Sequence, residues 1–141
     1  VLPDGMSYRL LALAETNQMT PRLLAKIKEL VHAGATIVGQ QYGTLSDGRY
    51  VRAVVARTDL TDKLELAWAA DQGTLYGDVR CTNNIQVSAN ATASVKPTML
   101  LCWRAAPTLT VYTINIVVKG TPVAKDTAKL VDTLWTQAAG K

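Results

Sequence analysis

The feature that most constrains this chain is residues 99–118, MLLCWRAAPTLTVYTINIVV. Two strongly apolar runs flank Ala106-Pro107, a pair that turns the chain. In the second run Tyr112, Ile114, Ile116 and Val118 recur at the period of two that puts side chains on one face of a strand. A hairpin this apolar belongs at the centre of a sheet, so the rest of the chain must pair with it or cover it.

The N-terminal part reads as strand, helix and strand. Residues 8–14 (YRLLALA) are a short apolar run bounded by polar residues, the pattern of a buried strand. Thr20 then offers a capping oxygen, and Pro21 takes the first helical position, where its missing N–H costs nothing. Leu23, Leu24, Ile27, Leu30 and Val31 fall on one helical face, and Gly34 supplies a left-handed stop. Residues 35–39 (ATIVG) make the second strand, which completes a βαβ-like unit. The turn-rich linker 40–48 (QQYGTLSDG) divides this segment, 1–43, from residues 44–141 within a single domain.

Past the linker the period becomes two. Residues 49–57 form a strand, followed by a turn from Asp59 to Asp62. Leu64, Leu66 and Trp68 alternate as a half-buried strand, Asp71-Gln72-Gly73 turns, and residues 74–81 return. Ile85, Val87, Ala89 and Ala91 alternate again, and Pro97 ends that run. Thr121 and Pro122 repeat the cap-plus-proline start for a second helix, whose stripe of Ala124, Ala128, Val131, Leu134, Trp135 and Ala138 should lie on the sheet, over the face that begins at Tyr112. The expected fold class is α+β: a mainly antiparallel β-sheet packed by two amphipathic helices, a layered sandwich.

Charge excludes some functions. The net charge of +4 is mild. Its excess lies in residues 99–141, with five Lys/Arg against two Asp, but no aromatic residues interleave with the basic ones. That pattern fits a solvated helix face and not a nucleic-acid partner. No stretch approaches the ~20 apolar residues of a transmembrane segment. The chain shows no signal-peptide pattern and does not open on Met, so its start is no evidence for the cytosol.

Cys81 and Cys102 are the most informative pair. Each lies late in an expected strand, and the two can face one another on neighbouring strands. An even count in a chain this size suits a disulfide. Closing a loop of about twenty residues is worth roughly 3 kcal/mol, and the bond points to an oxidising compartment, secreted or in the cell envelope. Two buried free thiols are the alternative. Two cysteines and one histidine do not complete a zinc site. His32 falls in the last turn of the first expected helix, where the helix dipole favours a cation, with no nucleophile near it in sequence. Asp59, Asp62, Asp71 and Asp78 flank turns, where carboxylates bond the local backbone. No phosphate-loop pattern occurs, and Asn90-Ala91-Thr92 matches a glycosylation sequon. The residues themselves therefore offer no catalytic, cofactor or metal constellation, and the expectation is that the chain is not an enzyme.

Two stretches resemble known families. Residues 1–39, VLPDGMSYRLLAL and then MTPRLLAKIKELVHAGATIVG, resemble a segment of large bacterial glycoside hydrolases of the rhamnosidase type. That resemblance implies an accessory flavodoxin-like α/β region outside the catalytic barrel, with no catalytic residue in the segment. Gln40-Gln41-Tyr42-Gly43 departs from the proline-containing loop of such proteins. Residues 46–137 resemble small exported or lipid-anchored domains of actinobacteria, in RYVRAVVARTDLTDKLELAWAADQGTLYGDVRCTNN, PTMLLCWR and VYTINIVVKG. This second resemblance implies an envelope-associated, non-catalytic domain with a disulfide.

The leading expectation is thus a non-enzymatic envelope or secreted domain that binds a protein, an apolar ligand or a carbohydrate, or serves as a scaffold. The rival is a carbohydrate-binding or carbohydrate-processing fragment. Under it the aromatic rings of Trp68, Tyr76 and Trp103 should stand open in a groove; Arg104, beside Trp103, is the further contact candidate. A third reading, from two resemblances meeting near residue 43, is a recombined or artificial sequence with no joint activity.

Overall fold

The computed structural model describes residues 10–12, 36–38, 41–42 and 45–140, with side chains from Ser46 to Gly140. The strands are β1 (Leu10–Ala12), β2 (Thr36–Val38), β3 (Gln41–Tyr42), β4 (Arg49–Ala56), β5 (Thr74–Tyr76), β6 (Val79–Thr82), β7 (Asn84–Ile85), β8 (Ser94–Val95), β9 (Met99–Ala106) and β10 (Leu109–Val117). One helix, α1 (Ala124–Ala139), follows. The main sheet runs β1-β2-β4-β10-β9-β6-β5, with β3 also paired to β4; β7 and β8 form a separate two-stranded ribbon. β1 and β2 are parallel, as a strand-helix-strand unit requires, and the other pairs are antiparallel. The helix expected over residues 20–34, with His32, lies outside the described residues. Among the described residues α1 is the one α-helix that packs on the sheet.

The hairpin of residues 99–118 is the centre of the sheet. β10 pairs with β9 on one side, Leu109 opposite Ala106 through Ile116 opposite Met99, and with β4 on the other, Thr110 opposite Ala56 through Val117 opposite Arg49. Leu109 to Asn115 are all buried. Both faces of this strand are therefore covered.

The coverings differ. Leu100, Cys102, Leu109 and Val111 meet α1 through Ala128 and Val131, with Leu134, Trp135 and Ala138 at the margin. Val54, Ala56, Leu101, Tyr112 and Ile114 meet Leu60, Leu66 and Ile85 on the opposite face. The Tyr112 face thus lies away from α1, contrary to expectation. Alternation divides β10 into two apolar sets, and nothing local tells which set a distant helix will cover.

Residues 64–68 are a short 3-10 helix and not a strand. Asp62 and Leu64 adopt left-handed φ values of 57° and 51°, which break an extended path. Leu66 N–H then donates to Lys63 O and Ala69 N–H to Leu66 O, at 3.1 and 3.2 Å. This coil buries Leu66 and leaves Leu64 53% exposed. It also carries Glu65 onto the core: the Tyr112 hydroxyl donates to Glu65 Oε2, and Arg52 pairs with Glu65 Oε1 at 2.8 Å. Burial first, then the Glu65 hydrogen bond, push the Tyr112 phenol far above its usual range, so it stays a donor. The alternating run from Ile85 to Ala91 is likewise shorter than expected, with only Asn84–Ile85 extended and Val87 exposed.

α1 starts at Ala124, two residues after Pro122, and no side chain caps it. Three polar contacts fasten it instead. Asn115 Nδ2 donates to Thr127 Oγ1 at 3.1 Å, Arg104 pairs with Asp132 at 2.8 Å, and Arg57 donates to Ala138 O at 3.0 Å. The last places a cation against a C-terminal carbonyl, where the helix dipole favours it.

Cys81 and Cys102 are disulfide-bonded across β6 and β9, with Cα atoms 4.1 Å apart. The Cys81→Ser/Cys102→Ser double variant should lose about 3 kcal/mol of stability; urea unfolding of both proteins, with and without reductant, measures it. Unchanged midpoints would show that the bond adds nothing. Glu65→Ala should cost about 1–3 kcal/mol by stranding the buried Tyr112 hydroxyl, and the same unfolding experiment reads that loss.

Candidate functional site

The paired cysteines fix what lies one rung away. In the antiparallel β6–β9 pair, Cys81 opposite Cys102 requires Arg80 opposite Trp103. Successive residues alternate faces, so the disulfide lies under α1 while Arg80 and Trp103 project to the other side. There they line a cleft of about 370 Å³.

The chain that lines the rest of this cleft comes from residues 61–72. Leu66, Ala69 and Trp103 belong to the apolar cluster around Tyr112 and form the floor, together with Ala70. Asp62, Asp71 and Gln72 are exposed and form the rim. The rim is held in place by its own bonds. Arg80 donates to Gln72 O at 3.0 Å, and Asp71 accepts from Gly73 N–H at 2.9 Å and from Asn84 Nδ2 at 3.1 Å. Gly73 has φ +64° and presses so closely on β6 that a Cβ there would lie 2.7 Å from Cys81 O. Only glycine fits this turn.

A second cleft of about 440 Å³ lies beyond the same turn. Tyr76, Thr82, Asn83, Thr121 and Pro122 contribute to it, and it shares Asp71 and Gln72 with the first. Tyr76 is 38% exposed on β5, whose three residues all face solvent.

The four residues singled out from sequence are therefore dispersed. Trp103 lines the first cleft and Tyr76 the second. Trp68 is partly buried against the Tyr112 cluster. Arg104 lies on the α1 side, paired with Asp78 and Asp132 at 2.8 Å each and 4.5 Å from the Trp135 ring centroid. Its charge joins β9 to the helix and to the β5–β6 turn. Asp59 serves its own turn, accepting from Thr61 N–H at 2.8 Å and Thr61 Oγ1 at 2.6 Å, and the Thr61 hydroxyl holds its carboxyl below the usual range.

Arg80 and Gln72 escaped the sequence reading. Arg80 was within reach: it follows from extending the Cys81–Cys102 pairing by one rung. Gln72 was not, because its role comes from a carbonyl meeting a side chain eight residues away. Among the described residues no group of three His, Cys, Asp or Glu side chains could hold a metal ion. No described helix is long and apolar enough to cross a membrane.

A family model described as alpha-L-rhamnosidase, of glycoside hydrolase family 106, matches residues 1–115. The chain belongs to the alpha-L-rhamnosidase family. The match runs across the junction near residue 43 and ends within β10, before α1. It extends the rhamnosidase-type resemblance of residues 1–39 to most of the chain. The expectation that the chain is not an enzyme is overturned by this membership, since the family is one of glycoside hydrolases. Neither the curated proteins nor the solved structures include a match to the chain.

Asp71 gives the cleft a pH signature. Thr82's hydroxyl holds its carboxyl below the ordinary 3.8 against the opposing effect of burial, and Gly73 N–H and Asn84 add lesser lowering. A carboxylate with a depressed folded pKa adds stability above its unfolded pKa and loses it as pH falls through the folded value. The protein should therefore lose stability below about pH 4. Asp71→Asn should be less stable at pH 7 and lose less on acidification; urea midpoints between about pH 7 and pH 2 test this. Parallel curves for the two proteins would show that Asp71 does not contribute.

Proposed function

We propose that this chain takes part in the processing of rhamnose-containing carbohydrate and that the cleft beside Trp103 holds a sugar ring. The observation that supports the reading is the Arg80–Trp103 rung, whose two side chains line one cleft with the apolar Leu66, Ala69 and Ala70. Sugars present an apolar C–H face and an equatorial belt of hydroxyls. A partly exposed indole suits the first, and Asp62, Asp71, Gln72 and Arg80 suit the second. The volume of about 370 Å³ falls within the range of small-ligand sites.

Chemistry narrows the role of Asp71. Its depressed pKa keeps it ionised near neutrality, so it accepts hydrogen bonds and does not serve as a general acid. Three donors already address it, which leaves room for about one sugar hydroxyl. The family membership supports the substrate class, and the disulfide supports an oxidising setting, secreted or in the cell envelope.

Methyl α-L-rhamnoside should bind, and Trp103→Ala should weaken it by about tenfold or more. Trp103 also packs on the core, so Arg80→Gln provides a second variant that spares the floor; it should weaken binding several-fold. Calorimetric titration of the three proteins decides the matter. Equal affinity in all three would place the sugar elsewhere.

A further inference from the structure

We propose that the Cys81–Cys102 bond is a thiol-exchange site, entered from the second cleft by a small thiol that attacks Cys81. The two cysteines have unequal surroundings. Both belong to the cluster under α1, but Cys81 also lines the cleft of about 440 Å³ and is 4% exposed. Cys102 is fully buried and lines neither cleft.

Strand order fixes the direction of attack. Exchange passes through a line of three sulfurs, with the incoming thiolate on the side of the attacked sulfur away from the leaving one. β6 lies between β9 and β5, so attack on Cys81 comes from the β5 side. There Gly73, Thr74 and Tyr76 line the second cleft, and Thr74 and Tyr76 are exposed. Attack on Cys102 would come from the β10 side, where Thr113 stands opposite it and is itself fully buried. The bond from the thiolate to Cys81 Sγ forms as the Cys81–Cys102 bond breaks. The electron pair leaves on Cys102 Sγ, which takes a proton in its apolar surroundings. With a dithiol, the second thiolate then attacks the reagent's own sulfur in the mixed disulfide. The reagent closes to a disulfide, oxidised by two electrons, and Cys81 leaves as a thiolate that takes a proton. The consequence reaches the first cleft. β6 joins β9 over three rungs, Arg80–Trp103, Cys81–Cys102 and Thr82–Leu101, and the bond is the middle one. Its opening removes the covalent tie between the strand that carries Arg80 and the strand that carries Trp103.

Reduction of the full chain by dithiothreitol, followed by alkylation and mass spectrometry, tests the route. Its rate should be independent of urea below the unfolding transition, because the cleft is already open. A rate that climbs with urea throughout that range would show that reduction waits for unfolding, and would overturn the proposal. Single variants assign the sulfur. Cys81 in Cys102→Ser should take a glutathionyl group from glutathione disulfide about tenfold or more faster than Cys102 does in Cys81→Ser. Both rates are read where circular dichroism shows the variants folded, and equal rates would overturn the choice of Cys81. Should either variant fail to fold, the wild-type protein decides the same point. Brief exposure to reduced glutathione, acid quenching and peptide mapping should place the mixed disulfide on Cys81; a mixed disulfide on Cys102 would overturn the proposal.

Discussion

Everything in this structure depends on a strand that is buried on both faces and paired along both edges. From Leu109 to Asn115 no residue of β10 reaches solvent appreciably. Antiparallel sheets commonly leave one face wet, and this one cannot, because its central strand carries apolar groups on both. α1 must therefore cover one side, and the segment after β4 must cover the other. Two polar residues within β10, Thr110 and Asn115, become ties between layers. Thr110 Oγ1 accepts from Leu60 N–H at 3.0 Å and donates to Thr58 O at 2.8 Å, which pins the segment on one face. Asn115 reaches Thr127 on the other.

The cleft is a consequence of that arrangement carried outward by two strands. β9 copies the register of β10, and β6 copies that of β9. By the time the pattern reaches β6, the disulfide occupies one face and Arg80 with Trp103 occupies the other. The same segment that seals the Tyr112 face then supplies the floor and rim of the cleft. A site of this kind is shallow, apolar beneath and charged around its edge.

Legibility followed the range of the interactions. The central hairpin, the strand that begins at Arg49 and the C-terminal helix were readable, because period-two and helical patterns are local, whereas the single strand expected over residues 74–81 folds back at Gly77-Asp78 into β5 and β6. The Cys81–Cys102 bond was readable because only one partner was available to each thiol. Residues 64–68 misled, since Leu64, Leu66 and Trp68 alternate like a strand while left-handed turns at Asp62 and Leu64 coil them. Glu65 and Tyr112 are 47 positions apart, and no pattern in either neighbourhood announces their bond. Trp103 stood out by its bulk, whereas Arg80 and Gln72 gained their place only by the company that folding gave them. Arg104 drew notice as a cation beside Trp103, but alternation sends it to the opposite face and into the helix contacts.

The amino-acid sequence by itself determined the strand pattern, the apolar centre, the single disulfide and the kinship with alpha-L-rhamnosidases. These rest on the period of side chains along an element, on cysteine arithmetic and on family likeness over residues 1–115. The tertiary structure decided which face of β10 the helix covers, that one segment coils where it might have extended, and which side chains meet at the cleft. Those outcomes turn on pairing between residues distant in the chain. Two apolar faces of equal quality look the same in one dimension, and only packing in three tells them apart.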